Sequence, residues 1–78
     1  MIRFAGANRL KVEIDFRAED GRWGPLVVEP YSLRRTRDGN LMLYVVNDRG
    51  DLRSYRLDRI RGVRPTSQPF IPRYIVEF

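Results

Sequence analysis

Cysteine and histidine are both absent from this chain of 78 residues. Their absence excludes a disulfide frame, a zinc finger, a thiol or imidazole nucleophile and a histidine general base. A metal would have to be held by carboxylates alone, and a proton shuttle would have to use Asp, Glu, Tyr or Lys11; we expect no metal, no cofactor and no enzymatic activity. No uncharged stretch approaches the roughly 20 residues that a membrane-spanning helix requires. The opening Met1-Ile2-Arg3-Phe4-Ala5-Gly6 has neither the apolar core nor the cleavage segment of a signal peptide. The expectation is a cytoplasmic, free-standing protein that does not touch the membrane. A chain of this length buries only about 60% of its unfolded surface, which allows one thin core and one domain, residues 1–78.

Lysine is nearly missing too: Lys11 stands alone among 15 basic residues, and the rest are arginine. Guanidinium is planar, permanently charged and able to make paired hydrogen bonds to phosphate or carboxylate. The formal charge of +5 is unevenly spread. Residues 1–30 balance five basic against five acidic groups, whereas residues 31–78 carry ten against five and hold the whole excess. Genome composition or a hot habitat can explain a preference for Arg over Lys, but not the clustering.

Two-residue periodicity dominates the rest of the sequence. In Leu10-Lys11-Val12-Glu13-Ile14-Asp15-Phe16-Arg17 every even position is apolar and every odd one charged, the pattern of a strand with one buried and one wet face. Glu13 and Asp15 on that wet face, flanked by Lys11 and Arg17, read as a solvated charge ladder rather than an acid–base pair. Residues 2–8 allow a turn or two of helix over one end of the core, with Phe4 as its anchor. Turns are predicted at Asp20-Gly21, Asp38-Gly39 and Asn47-Asp48-Arg49-Gly50. Between them lie a long strand interrupted at Pro30, where a bend or an edge is expected because proline cannot donate to a ladder, and the apolar run Leu41-Met42-Leu43-Tyr44-Val45-Val46, which reads as buried on both faces or with one face lining a pocket. Residues 51–57 form a further strand, residues 58–60 fit one 3₁₀ turn, and Gly62-Val63-Arg64-Pro65 opens a last short strand. Residues 66–78 form a C-terminal extension whose strand-like tail, residues 70–78, is too apolar to hang loose and should dock or pair. Five short strands at this spacing indicate an all-β fold, a small SH3-like or Sm-like barrel that closes its own edges, with an OB-type barrel as the alternative.

The most distinctive stretch is Arg53-Ser54-Tyr55-Arg56-Leu57-Asp58-Arg59-Ile60-Arg61. On an extended strand Arg53, Tyr55 and Leu57 share one face and Ser54 and Arg56 the other. A turn after Leu57 would return Arg59 toward Arg56. Asp58 can compensate one of these cations and hold the strand-to-turn corner; the others invite an anion. Arg34-Arg35-Thr36-Arg37 could extend a phosphate track or form a solvated hairpin tip. Tyr44 should point the same way as Met42 and offers a stacking ring or a core contact, and Trp23 reads as a lid over one end or, failing that, a ligand stack.

Val28-Glu29-Pro30-Tyr31-Ser32-Leu33, then Asp38-Gly39-Asn40-Leu41-Met42-Leu43, then Arg53-Ser54-Tyr55-Arg56-Leu57-Asp58-Arg59-Ile60 resembles the WYL domain family across about residues 9–65. The Trp-Tyr-Leu signature reads Leu41-Met42-Leu43 here, so Met42 removes a hydroxyl and an aromatic face from the ligand side. The resemblance implies an Sm-like five-stranded domain that senses a ligand, usually within bacterial transcription regulators that carry a winged helix-turn-helix upstream. It implies single-stranded nucleic acid or a nucleotide-like anion as ligand, with Arg53, Arg56, Arg59 and Tyr31 at the family's binding positions. Arg34, Met42 and Tyr44 complete our candidate binding residues. The competing reading is a protein–protein module, in which the basic strand and the apolar tail join a second copy of this chain or a partner carrying the helix-turn-helix.

Overall fold

A computed structural model describes residues 2–18 and 20–78; Met1 and Glu19, and with Met1 the reading of how the chain starts, lie outside the described residues. The order of elements is α1 (Ile2–Ala7), β1 (Leu10–Arg17), β2 (Trp23–Arg35), β3 (Leu41–Val46), β4 (Leu52–Arg56), a 3₁₀ turn (Leu57–Arg59) and β5 (Ile60–Pro69). The alternation of β1 emerges as read, with Val12 and Ile14 fully buried while Lys11, Glu13 and Asp15 stay half-exposed. The three turns form around Gly21, Gly39 and Gly50 with φ of 86°, 87° and 82°, a region that costs any residue with a Cβ.

All ladders are antiparallel and run in the order β4-β3-β2-β1-β5. β2 serves two ladders: residues 23–28 pair with β1, and residues 29–35 pair with β3. The change-over falls at Pro30, where the register slips by one residue between Pro30 and Ser32. A ring nitrogen without a proton cannot bond a neighbouring strand, so the bend expected there is a consequence of the residue itself.

The bend sets the two half-sheets against each other. Val12, Ile14 and Val28 from one half meet Leu43 and Val45 from the other, and Ile2 and Ala5 of α1 close the end. Phe16 and Tyr55 bridge toward the far rim, their ring centroids 4.6 Å apart. β4 and β5 are the two sheet edges and share no ladder among the described residues, so hydrogen bonding leaves the five-stranded sheet open where an edge-free barrel was expected.

Three further details differ from the sequence reading. Phe4 is not the anchor of α1: it is 58% exposed, and Ile2, Ala5 and Gly6 face the core instead, the i, i+3, i+4 set of a helix. β5 is longer than the short strand expected, because its ladder with β1 extends from Phe16↔Ile60 to Leu10↔Pro69. Residues 70–78 do dock, and they build a second core. Phe70 and Val76 pack with Tyr31 and Val46 on the face of β3 opposite Val45, so this end of β3 is buried on both sides as its apolar run predicted. The Glu77 amide donates to the Tyr31 carbonyl at 2.8 Å, Ser32 and Glu77 form a parallel bridge, and the Phe78 ring covers Gly6 so closely that a Cβ there would fall inside it.

Candidate ligand face

Cross-strand partners in a ladder project to the same side of a sheet. The register aligns Arg34, Met42 and Arg56 in one row across β2, β3 and β4, and Ser32, Tyr44 and Ser54 in the next. Both rows face away from Leu43 and Val45, hence away from the main core. Four of the candidate residues, Arg34, Met42, Tyr44 and Arg56, therefore share one surface.

Arg56 is oriented by its neighbours. Its Nε donates to Asp58 Oδ1 at 3.1 Å, its Nη2 to Asp58 Oδ2 at 2.6 Å, and the same Nη2 reaches Asn40 Oδ1 at 3.4 Å. The hydrogen bonds to Asp58 push the guanidinium pKa up, and those from Arg56 hold the Asp58 carboxyl below its usual range. Asp58 thus fixes the strand-to-turn corner by pairing with Arg56. Beside this pair opens a hollow of about 390 Å³ lined by Arg35, Gly39, Asn40, Leu41, Leu57 and Asp58. Asn40, from the β2–β3 turn, escaped sequence reasoning; as a turn residue it carried only a conformational signal, and its contact with Arg56 spans 16 residues. Arg34 meets the Glu77 carboxylate.

The other three candidates lie elsewhere. Arg53 pairs in register with Val45, on the opposite side of β4 from Arg56, and its guanidinium contacts the Leu52 carbonyl and Asp51. Arg59, on the 3₁₀ turn, lines a separate cleft with Arg17, Trp23 and Asp58. Tyr31 is only 4% exposed beneath residues 70–78. Its hydroxyl donates to Glu29 Oε1 at 2.8 Å and accepts from the Arg73 amide at 3.0 Å, and its ring meets Phe70 and Tyr74 edge-on at 5.6 Å. Burial, followed by the Glu29 carboxylate, raises the Tyr31 pKa against the opposing contacts of Arg73.

The sequence matches the WYL domain family model over residues 1–65, and the chain belongs to that family. Among solved structures it is similar to the proteasome accessory factor B/C (PafBC) of Arthrobacter aurescens, with a TM-score of 0.77 at 14% identity. That match covers 96% of this chain and 13% of the length of the other. No curated protein matches the sequence. The family match supports a regulatory, ligand-sensing type of module, and the likeness to that factor shows a shared fold. No helix among the described residues is long and apolar enough to cross a membrane.

Proposed function

We propose that this domain is a non-catalytic sensor that binds single-stranded nucleic acid, or a nucleotide-like anion, on the outer face of β2, β3 and β4, and thereby regulates transcription or a defence system. The observation that carries this reading is the row Arg34–Met42–Arg56 with Tyr44 alongside it on the same surface. Guanidinium groups spaced across a sheet engage successive phosphates, and an adjacent ring gives a base something to stack on, worth about 1–3 kcal/mol per base. The hollow beside Arg56 adds the Asn40 amide and the Asp58 carboxylate, a donor–acceptor set suited to a base edge. Arg53 and Arg59 extend the positive surface around the β4 corner. Tyr31 joins the site only when residues 70–78 lift away.

Fluorescence polarisation with short single-stranded oligonucleotides at several salt concentrations tests the proposal. Binding that weakens with salt and is lost in Arg34→Ala/Arg56→Ala is expected. Absence of binding to oligonucleotides and nucleotides at low salt would reject it.

A second reading is favoured by the exposure of Ile71 at 90%, Ile75 at 83% and Tyr74 at 53%, all on the docked segment. Apolar side chains so displayed suit a homodimer or a partner carrying a helix-turn-helix. Light scattering that reports a monomer for both the parent chain and Ile71→Ser/Ile75→Ser counts against self-association through this segment.

A further inference from the structure

Gly24 leaves a hole in the row it occupies. The register sets it opposite Phe16, so both positions face the same side of the sheet, and glycine brings no side chain to cover the ring. A Cβ at Gly24 would meet nothing within 4 Å among the described residues. The result is a shallow hollow of about 350 Å³ at the β1–β2 hairpin, walled by Phe16, Leu26 and the half-exposed indole of Trp23, with Ala18 also on its lining. The aromatic walls are held in place: Phe16 by the Tyr55 ring at 4.6 Å, and Trp23 by the Arg61 guanidinium, 4.3 Å from its centroid and itself bonded to Asp15 at 2.8 Å. Apolar walls so displayed gain by burial, and the space suits branched aliphatic side chains.

A matching projection lies beyond the other end of β1. The Phe70 amide donates to the Arg9 carbonyl at 2.9 Å and the Glu77 amide to the Tyr31 carbonyl at 2.8 Å, so the span between them is pinned at both ends. It displays Ile71 and Ile75, the two most exposed large apolar side chains among the described residues. Because their backbone is already pinned, covering them costs little further ordering. Leu10 and Arg17, the ends of β1, stand about 23 Å apart at the strand rise, so a ridge pinned beside Arg9 cannot fold over onto a hollow beside Arg17 and Ala18. The occupant of the hollow must come from another molecule. Charge favours a second copy in one orientation. Asp20 and Arg22 on the lining of the hollow, and Arg73 and Glu77 on the ridge, are all exposed. One alignment sets Arg22 against Glu77 and Asp20 against Arg73, and the reverse sets like charges together.

We infer that the ridge carrying Ile71 and Ile75 of one copy seats in the hollow beside Gly24 of another, so that the domain associates with itself head to tail. The inference rests on the reading that residues 70–78 mediate self-association, and it adds the surface that this segment meets. A contact of two isoleucines and their neighbours falls below the roughly 800 Å² per partner of a standard interface, so the association is weak and follows concentration.

Sedimentation velocity and tryptophan emission of the full chain, read from about 10 µM to about 1 mM, test it. Trp23 is the single tryptophan, so its emission should shift to the blue as the mass rises above that of the monomer. Gly24→Glu sets a charge in the hollow at a position open enough to take a side chain. It should weaken association about 10-fold or more, as should Ile71→Ser/Ile75→Ser. Ala18→Glu, at an exposed position on the same lining, gives the same readout if Gly24→Glu does not fold. The decisive arm mixes the two variants. The intact ridge of the Gly24→Glu chain fits the intact hollow of the Ile71→Ser/Ile75→Ser chain, so a dimer should return and grow no further. A mixture that stays monomeric overturns the inference. So does association of Gly24→Glu and Ala18→Glu equal to that of the parent, a result that leaves self-association through residues 70–78 standing and rejects only its seat. A parent chain that stays monomeric with unshifted emission through about 1 mM rejects both.

Discussion

Tyr31 ties two parts of the chain together through one hydroxyl, bonding Glu29 within β2 and the Arg73 amide of the docked segment. Tyr31→Phe leaves the buried Glu29 carboxylate without this donor and the amide without this acceptor. A destabilisation of about 1–3 kcal/mol is expected, read as a lower urea midpoint. The same phenol gives a pH dependence whose sign follows from burial. Its folded pKa lies above the unfolded value of about 10, so its stabilisation is complete below that value and disappears as pH rises through the folded pKa. Spectroscopic titration of the four tyrosines should find one that ionises late, and Tyr31→Phe should abolish that phase. Position 31 also illustrates what a linear sequence conceals. Its neighbours Val28-Glu29-Pro30 announced a strand, but the contacts that bury it come from residues about 40 positions downstream, Phe70, Arg73 and Tyr74.

The elements that depend on their own residues were the most legible. β1 follows from its alternation, the bend in β2 from Pro30, and the double burial of the Val45–Val46 end of β3 from its apolar run. The length of β5 and the open sheet were not legible, because both depend on which strand pairs with which. Arg64 finds Glu13 across 51 positions, and Arg61 finds Asp15 across 46, pairings that no local pattern encodes. For the same reason the arginines of residues 53–59 looked like one cluster, while strand alternation and the 3₁₀ turn send Arg53, Arg56 and Arg59 in three directions. The docked segment has a role at this scale. Glu77 sets a carboxylate on Arg34, where a phosphate of the proposed ligand would sit, and so acts as a built-in competitor. Exposed ion pairs are worth about 0.2–1 kcal/mol, so Glu77→Gln should tighten oligonucleotide binding about 1.4- to 5-fold. Unchanged polarisation curves would show that Arg34 does not meet the ligand.

At the scale of the molecule, the seven ion pairs among the described residues are all at the surface except for the buried Glu29 end of one, and each contributes little stability by itself. Their larger effect is to decide where charge remains available. If Arg34 and Arg56 are the phosphate contacts of the strand face, the logarithm of affinity for a single strand should fall with the logarithm of salt at a slope of about −1.4; a strand that also engaged Arg17 and Arg59 would give about −2.8. The slope measured on the parent chain separates these two footprints.

The seat of Phe78 on Gly6 brings residues 2 and 78 close together, since Gly6 is only about 6 Å of helical rise from Ile2. The path of the chain is therefore close to a loop, and its topology does not depend on where that loop is cut. A circular permutant with a short glycine bridge from Phe78 to Ile2, opened in the exposed β2–β3 turn between Arg37 and Asp38, should fold to the same sheet and unfold in one cooperative step. Gly6→Ala, which drives the Phe78 ring off its seat, should make that permutant less stable than the permutant retaining Gly6.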